Sequence, residues 1–275
     1  MNSATIMTIV ATWALMLIWL VLVAVSGVLA FQKWERLSGQ PRKQMFYLWL
    51  GPVFVFIGDL LHTVAYTINV ATGSPTGSIN LFGSEFESQT FAYFFDGLIF
   101  MIYYALWSLF IVARYQQGQF KRYDKITLGL ALLAMLCILP GAVPNAFGIY
   151  TIDYDISLWS PHMLLFVIFG LMTVVKLIRC SRSARAQTLD PIHAVQERAL
   201  NIIGVSFVFS FFFFTLTLGL IPVNPMFGMF MIPKTFAYMT AFFYIIKGVI
   251  QPMPVPVELG AGYNRIQPRS DALIT

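Results

Sequence analysis

Long apolar stretches alternate with short polar ones along the whole chain. Seven stretches dominated by aliphatic and aromatic side chains cover residues 6–31, 45–72, 90–115, 126–146, 158–179, 199–221 and 226–249. A helix needs roughly 20 apolar residues to cross the hydrocarbon core of a bilayer. There it satisfies its own backbone hydrogen bonds, which an open strand cannot do. The pattern predicts an all-α, polytopic integral membrane protein: a seven-transmembrane-helix bundle over residues 1–250. Pro52 lies near the start of the second span and is expected in a first turn, where proline is tolerated, and Pro140 and Pro144 are expected to break the outer end of the fourth. Residues 73–89 are expected to form a polar loop and 180–198 the longest internal loop. The segment 251–275, with Pro252, Pro254 and Pro256, is expected to be an extended or disordered tail.

Composition sharpens this. The 275 residues are 58% hydrophobic and 11% charged, with a mean hydropathy of +0.75, whereas soluble domains carry about 25% charged residues. The net charge of +5 does not mark a nucleic-acid binder, because the basic residues sit in short patches between apolar runs, as topology signals do. Lys33, Arg36, Arg42 and Lys43 follow the first span, and Arg114, Lys121, Arg122 and Lys125 the third. Lys176, Arg179, Arg182, Arg185 and Arg198 surround the connection from the fifth to the sixth, and Lys247, Arg265 and Arg269 close the chain. Sixteen of the seventeen Lys and Arg residues thus fall on one side. The expected orientation has the N-terminus outside and the C-terminus cytoplasmic in the cell membrane. The first apolar stretch has its positive charges after it, the reverse of a signal peptide, and is expected to be retained. Glu85, Glu87, Asp153 and Asp155 would make the outer mouth negative. Cys137 and Cys180 both lie away from the outer face, so no disulfide is expected, and no Cys/His cluster has zinc spacing.

Candidate chemistry lies inside the apolar runs. Asp59, His62, Tyr66 and Asn69 recur at i, i+3, i+7 and i+10, along one face of a helix. Asp96 in the third span and Lys234 in the seventh are ionisable groups in the outer half of the membrane, Asp96 roughly 9 Å below the outer surface by helical rise. Tyr103 follows Asp96 at helical spacing, and Tyr238 follows Lys234 at i+4. Such groups are costly in a bilayer unless they face protein, water or a ligand. The eight residues Asp59, His62, Tyr66, Asn69, Asp96, Tyr103, Lys234 and Tyr238 are the ligand-binding candidates. Plainer roles compete for each: an Asp96–Lys234 structural ion pair, a snorkelling Lys234, Asp59 and His62 as hydrogen-bond glue, and interfacial tyrosines. Ser206, Ser210 and Thr217 mark a small polar face on span six, and His162 is expected at the interface.

An acid on span three and a lysine on span seven, Asp96 and Lys234, resemble retinal proteins of the microbial rhodopsin type. That resemblance implies a Schiff base on Lys234 with Asp96 as counterion. It is interrupted by Phe230, where an acid is expected four residues before the lysine. The arginine before Asp96 and the tryptophan and proline signals on span six are missing. Retinal on Lys234 is therefore disfavoured and the cofactor stays open. G-protein-coupled receptors share the topology, but Arg114 has Ala113, not an acid, before it. Phosphate-loop, metalloprotease and serine-hydrolase motifs are absent.

Three functions remain. The leading expectation is a sensor- or receptor-like protein binding a small ligand or ion in an outward-facing pocket. His62 beside Asp59 would make it responsive to pH near neutrality. A cytoplasmic protein partner would dock on the loop between Cys180 and Arg198. The alternatives are a proton- or cation-coupled transporter or channel using Asp59 and Asp96, and an intramembrane enzyme in which Asp59 orients His62 as a general base.

Overall fold

The computed structural model describes residues 3–72, 78–81, 84–146, 161–220, 223 and 230–253. Among these are seven α-helices: α1 Ser3–Arg36, α2 Gly39–Thr72, α3 Ser88–Tyr115, α4 Arg122–Ala146, α5 Pro161–Gln187, α6 Pro191–Leu220 and α7 Met231–Tyr244. The last continues directly into a π-helical stretch, Ile245–Ile250. Five helical segments are long and apolar enough to cross a membrane: Thr12–Arg36, Gly39–Ala65, Gly97–Tyr115, Pro161–Gln187 and Pro191–Leu220. The chain is on this ground a multi-pass membrane protein.

The helices run beyond the apolar stretches, which corrects two expected loops. Residues 180–198 do not form the longest internal loop, because α5 and α6 take all but Thr188, Leu189 and Asp190. The end of α5, Cys180–Gln187, holds Arg182, Ala184, Arg185, Ala186 and Gln187, which are good helix formers, and basic residues suit a helix C-terminus. Asp190 then starts α6. Its Oδ1 accepts a 2.9 Å hydrogen bond from the Ile192 amide, and Pro191 occupies the first helical position, where its missing N–H costs nothing. Likewise α1 and α2 are separated only by Leu37 and Ser38. The expected loop 73–89 contains a short antiparallel hairpin, β1 Ser78–Leu81 with β2 Ser84–Glu87, paired from Ser78↔Glu87 to Leu81↔Ser84. Residues 153, 155 and 254–275, read from sequence as loop and tail, lie outside the described residues.

Consecutive helices pack side by side, α1 on α2, α2 on α3 and so on to α7, and α7 with its π-helical end returns to α1. The third helix additionally meets α5, so its buried face supplies the centre of the bundle, with Tyr103, Tyr104, Trp107, Phe110 and Ile111 all enclosed. Glycines set the closest approaches. A Cβ on Gly248 would lie 2.2 Å from the Ala199 Cβ, and one on Gly204 would lie 2.5 Å from Ile178. Small residues at helix contacts are how apolar helices approach each other in lipid. Val10, Leu17, Ile18, Val21, Val25 and Val28 of α1 point outward, an apolar face suited to hydrocarbon.

Candidate functional site

Six of the seven helices contribute to one internal cavity of about 230 Å³. Asp59 and His62 come from α2, Phe100 from α3, Phe166 from α5, Ser210, Phe211 and Phe214 from α6, and Lys234, Thr235 and Tyr238 from α7, with Met16 of α1 completing the wall. These positions lie early in α5 and α7 and late in α6. The cavity therefore occupies the half of the bundle away from the α1–α2, α3–α4 and α5–α6 turns, where the basic residues gather.

On the α2 wall, Trp19 Nε1 donates a 2.8 Å hydrogen bond to Asp59 Oδ2. Toward the C-terminal end of α2 from that carboxylate, hydroxyls form a ladder: Thr63 Oγ1 donates to the Asp59 carbonyl at 2.7 Å, Thr67 to the Thr63 carbonyl at 2.8 Å, and Trp13 Nε1 to Thr67 Oγ1 at 2.8 Å. Two indoles of α1 thus bond to α2, one at Asp59 and one at Thr67. On the α7 wall, the Lys234 ammonium lies 4.8 Å from the Phe214 ring centroid, 5.3 Å from Phe100 and 5.9 Å from Tyr238. Aromatic faces carry negative charge density and attract a cation. The Tyr238 hydroxyl exchanges a 2.9 Å hydrogen bond with Tyr104. Ser210 Oγ is buried at the wall with no hydrogen-bond partner among the described residues. The cavity therefore combines a carboxylate, an imidazole, an ammonium and hydroxyls with a mainly aromatic surface. That mixture suits a small amphipathic ligand or a hydrated ion.

An aromatic layer closes the cavity from below. Tyr103 stacks on Phe242 at 6.0 Å with an interplanar angle of 12°, and meets Phe207 and Trp107 edge to face. Trp107 continues to Phe110 at 5.1 Å. Beneath this layer is a polar network that the sequence reading missed. Arg114 donates through Nε at 2.9 Å and Nη2 at 2.6 Å to Glu197 Oε1. Its remaining donors reach Gln44 at 3.2 Å and Gln196 at 3.0 Å, and Tyr115 donates to Glu197 Oε2 at 2.5 Å. Lys176 pairs with Asp124, and Lys33 donates to the Gln251 and Met253 carbonyls. Together these bonds tie α2 to α3 and α6, α4 to α5, and α1 to the segment after α7. Glu197 lies six residues beyond Pro191, the first residue of α6, and the sequence reading did not single it out. Nothing in its spacing pointed to Arg114, which is 83 residues away.

Four of the eight candidates, Asp59, His62, Lys234 and Tyr238, reach the cavity wall. Tyr103 lies in the aromatic layer below. The side chains of Tyr66, Asn69 and Asp96 lie outside the described residues, as does any Asp96–Lys234 pairing. Of the rhodopsin-like pair, then, only Lys234 is placed, and no lysine-linked cofactor is assigned. His162, expected at the interface, is buried. Ser206, Ser210 and Thr217 are all buried, and Thr217 bonds back to the Phe213 carbonyl. Among the described residues no three His, Cys, Asp or Glu side chains gather into a metal site.

The fold and site define a class: a multi-pass helical membrane protein with an internal polar cavity on one side of an aromatic layer and a charged network on the other. Comparison with protein-family models, with curated proteins and with solved structures finds no match, so the functional reading rests on this geometry.

Proposed function

We propose that the chain is a seven-span sensor- or receptor-like protein of the cell membrane that binds a small ligand or ion in the cavity bounded by Asp59, His62, Lys234 and Tyr238. The observation that carries this reading is the convergence of ionisable groups from α2 and α7 on one space of about 230 Å³. Intramembrane charges that surround a cavity instead of lipid are the usual mark of a ligand or ion path. Seven spans follow if α4 crosses and if α7 crosses together with its π-helical end, since Met231–Ile250 is 20 continuous helical residues. The basic residues at the α1–α2, α3–α4 and α5–α6 turns favour a cytoplasmic location for those turns, which turns the cavity outward. The basic α5–α6 hairpin is then the docking face for a cytoplasmic protein partner.

The test uses cysteine accessibility in intact cells. In a background with Cys137 and Cys180 replaced by alanine, Thr235→Cys on the cavity wall is expected to react with a small membrane-impermeant thiol reagent added outside. Phe207→Cys in the aromatic layer is expected to stay protected. Reaction of Thr235→Cys only after the cytoplasmic face is opened would refute the outward cavity. Reconstituted protein that conducts protons or cations, and loses that flux with Asp59→Asn, would replace the receptor reading by the transporter one.

A further inference from the structure

We propose that the groove between α1 and α2 binds an anionic phospholipid, with an acyl chain in the groove and the headgroup phosphate against Arg42. The occupied leaflet is the one beside the α1–α2 turn.

The groove has a volume of about 410 Å³ and is lined only by apolar and aromatic side chains and one glycine, among them Val23 and Phe31 of α1 and Trp49 and Phe56 of α2. Its shape follows from two residues. Gly27 has no side chain and faces Pro52, and a Cβ there would meet the Pro52 ring at 3.4 Å, an ordinary van der Waals contact. The helices touch at this point, and the missing side chain leaves a hollow beside it. The rim residues Val28 and Val53 are 55% and 40% exposed, so the groove opens sideways onto what the membrane reading makes hydrocarbon.

Length argues for a lipid tail over a protein helix. From Val23 to Phe31 the helix rises about 12 Å, close to the roughly 15 Å of hydrocarbon in one leaflet. A docked transmembrane helix would need a groove through both leaflets. This one stops at an aromatic cluster, with Phe31 5.5 Å from Trp34 and 5.6 Å from Trp49, and Trp34 6.1 Å from Trp49. Tryptophan collects at the membrane–water boundary.

Charge then selects the head. The Arg42 guanidinium lies 4.9 Å over the Trp34 ring, just past the end of the groove, and no carboxylate pairs with it among the described residues. Arg36 and Lys43 are exposed nearby, with Glu35 the one acid of the turn, while Lys33 is held on backbone carbonyls. An apolar slot one leaflet deep, capped by tryptophan and arginine, matches an anionic amphiphile, and basic residues at that level attract anionic headgroups.

Full-length protein in phosphatidylcholine vesicles tests this by fluorescence quenching. Small amounts of phosphatidylglycerol or phosphatidylcholine, each brominated on its acyl chains, are added, and the signal from the groove is isolated by subtracting that of Trp49→Phe. Wild type is expected to prefer the phosphatidylglycerol form several-fold. Arg42→Gln, a surface change that leaves the helices intact, is expected to bring the two lipids level. Gly27→Leu is expected to reduce quenching by both. Equal quenching by both lipids in wild type, or a preference unchanged in Arg42→Gln, overturns the proposal. So does quenching by neither lipid together with a dimer that Gly27→Leu dissociates, which would make a second copy the occupant.

Discussion

Removing the Glu197 carboxylate should destabilise the protein more than any change on its polar surface. The Arg114 and Glu197 side chains are 8% and 5% exposed, so the pair is a buried one. Glu197→Ala takes away the acceptor of two Arg114 hydrogen bonds and of the Tyr115 hydroxyl. The guanidinium is left with only the neutral oxygens of Gln44 and Gln196, at 3.2 and 3.0 Å. Stranding one partner of a buried pair costs about 3–5 kcal/mol. The network sits at the end of the bundle, where water can relax part of that, so about 3–4 kcal/mol is expected. At roughly 2–4 °C per kcal/mol for a chain of this size, the melting temperature in detergent should fall by about 6–16 °C. Glu197→Gln keeps the shape and one acceptor oxygen and should fall in between. The double variant Arg114→Met with Glu197→Leu removes both charges and should recover more than half of the loss, because well-packed apolar replacements of buried pairs are often close to neutral. A cost under about 1 kcal/mol for Glu197→Ala, the level of a solvated surface pair, or a double variant that loses the sum of the two single ones, would refute a buried, coupled pair.

Gly170→Ala places a Cβ 2.2 Å from Phe211 Cζ and should push that ring into the cavity, with a loss of about 1–3 kcal/mol; an unchanged melting curve would show that α5 and α6 separate freely there. Ser210→Ala removes a buried hydroxyl that has no partner among the described residues, and should leave thermal stability unchanged or slightly raised; a loss above about 1 kcal/mol would contradict this. Asp190→Asn keeps the helix cap but removes the charge beside His193. The hydrogen bond from His193 holds the Asp190 carboxyl below its ordinary value, so its contribution is present at neutral pH and lost as the pH falls through that lowered value. The pair is exposed, so thermal melting at neutral pH should not distinguish Asp190→Asn from wild type, and a clear drop would mean the charge matters to α6.

Helical class and membrane character were readable from sequence because each span declares itself locally, by the length and apolarity of its own residues. The stripe of Asp59 and His62 was readable for a related reason: an ionisable side chain in an apolar helix has few places to go. Helix ends were misread where polar, helix-forming segments such as Cys180–Gln187 carry the helix past the apolar run, since hydropathy marks membrane depth and not hydrogen bonding. What only the tertiary structure decided is which distant groups meet. Tyr238 faces Tyr104 while Tyr103 turns into the aromatic layer, and Lys234 lies among Phe100 and Phe214. Glu197 finds Arg114, and Gly27 opens a groove against Pro52. Those meetings depend on how whole helices rotate and cross, which the packing of many side chains settles at once and no single stretch encodes.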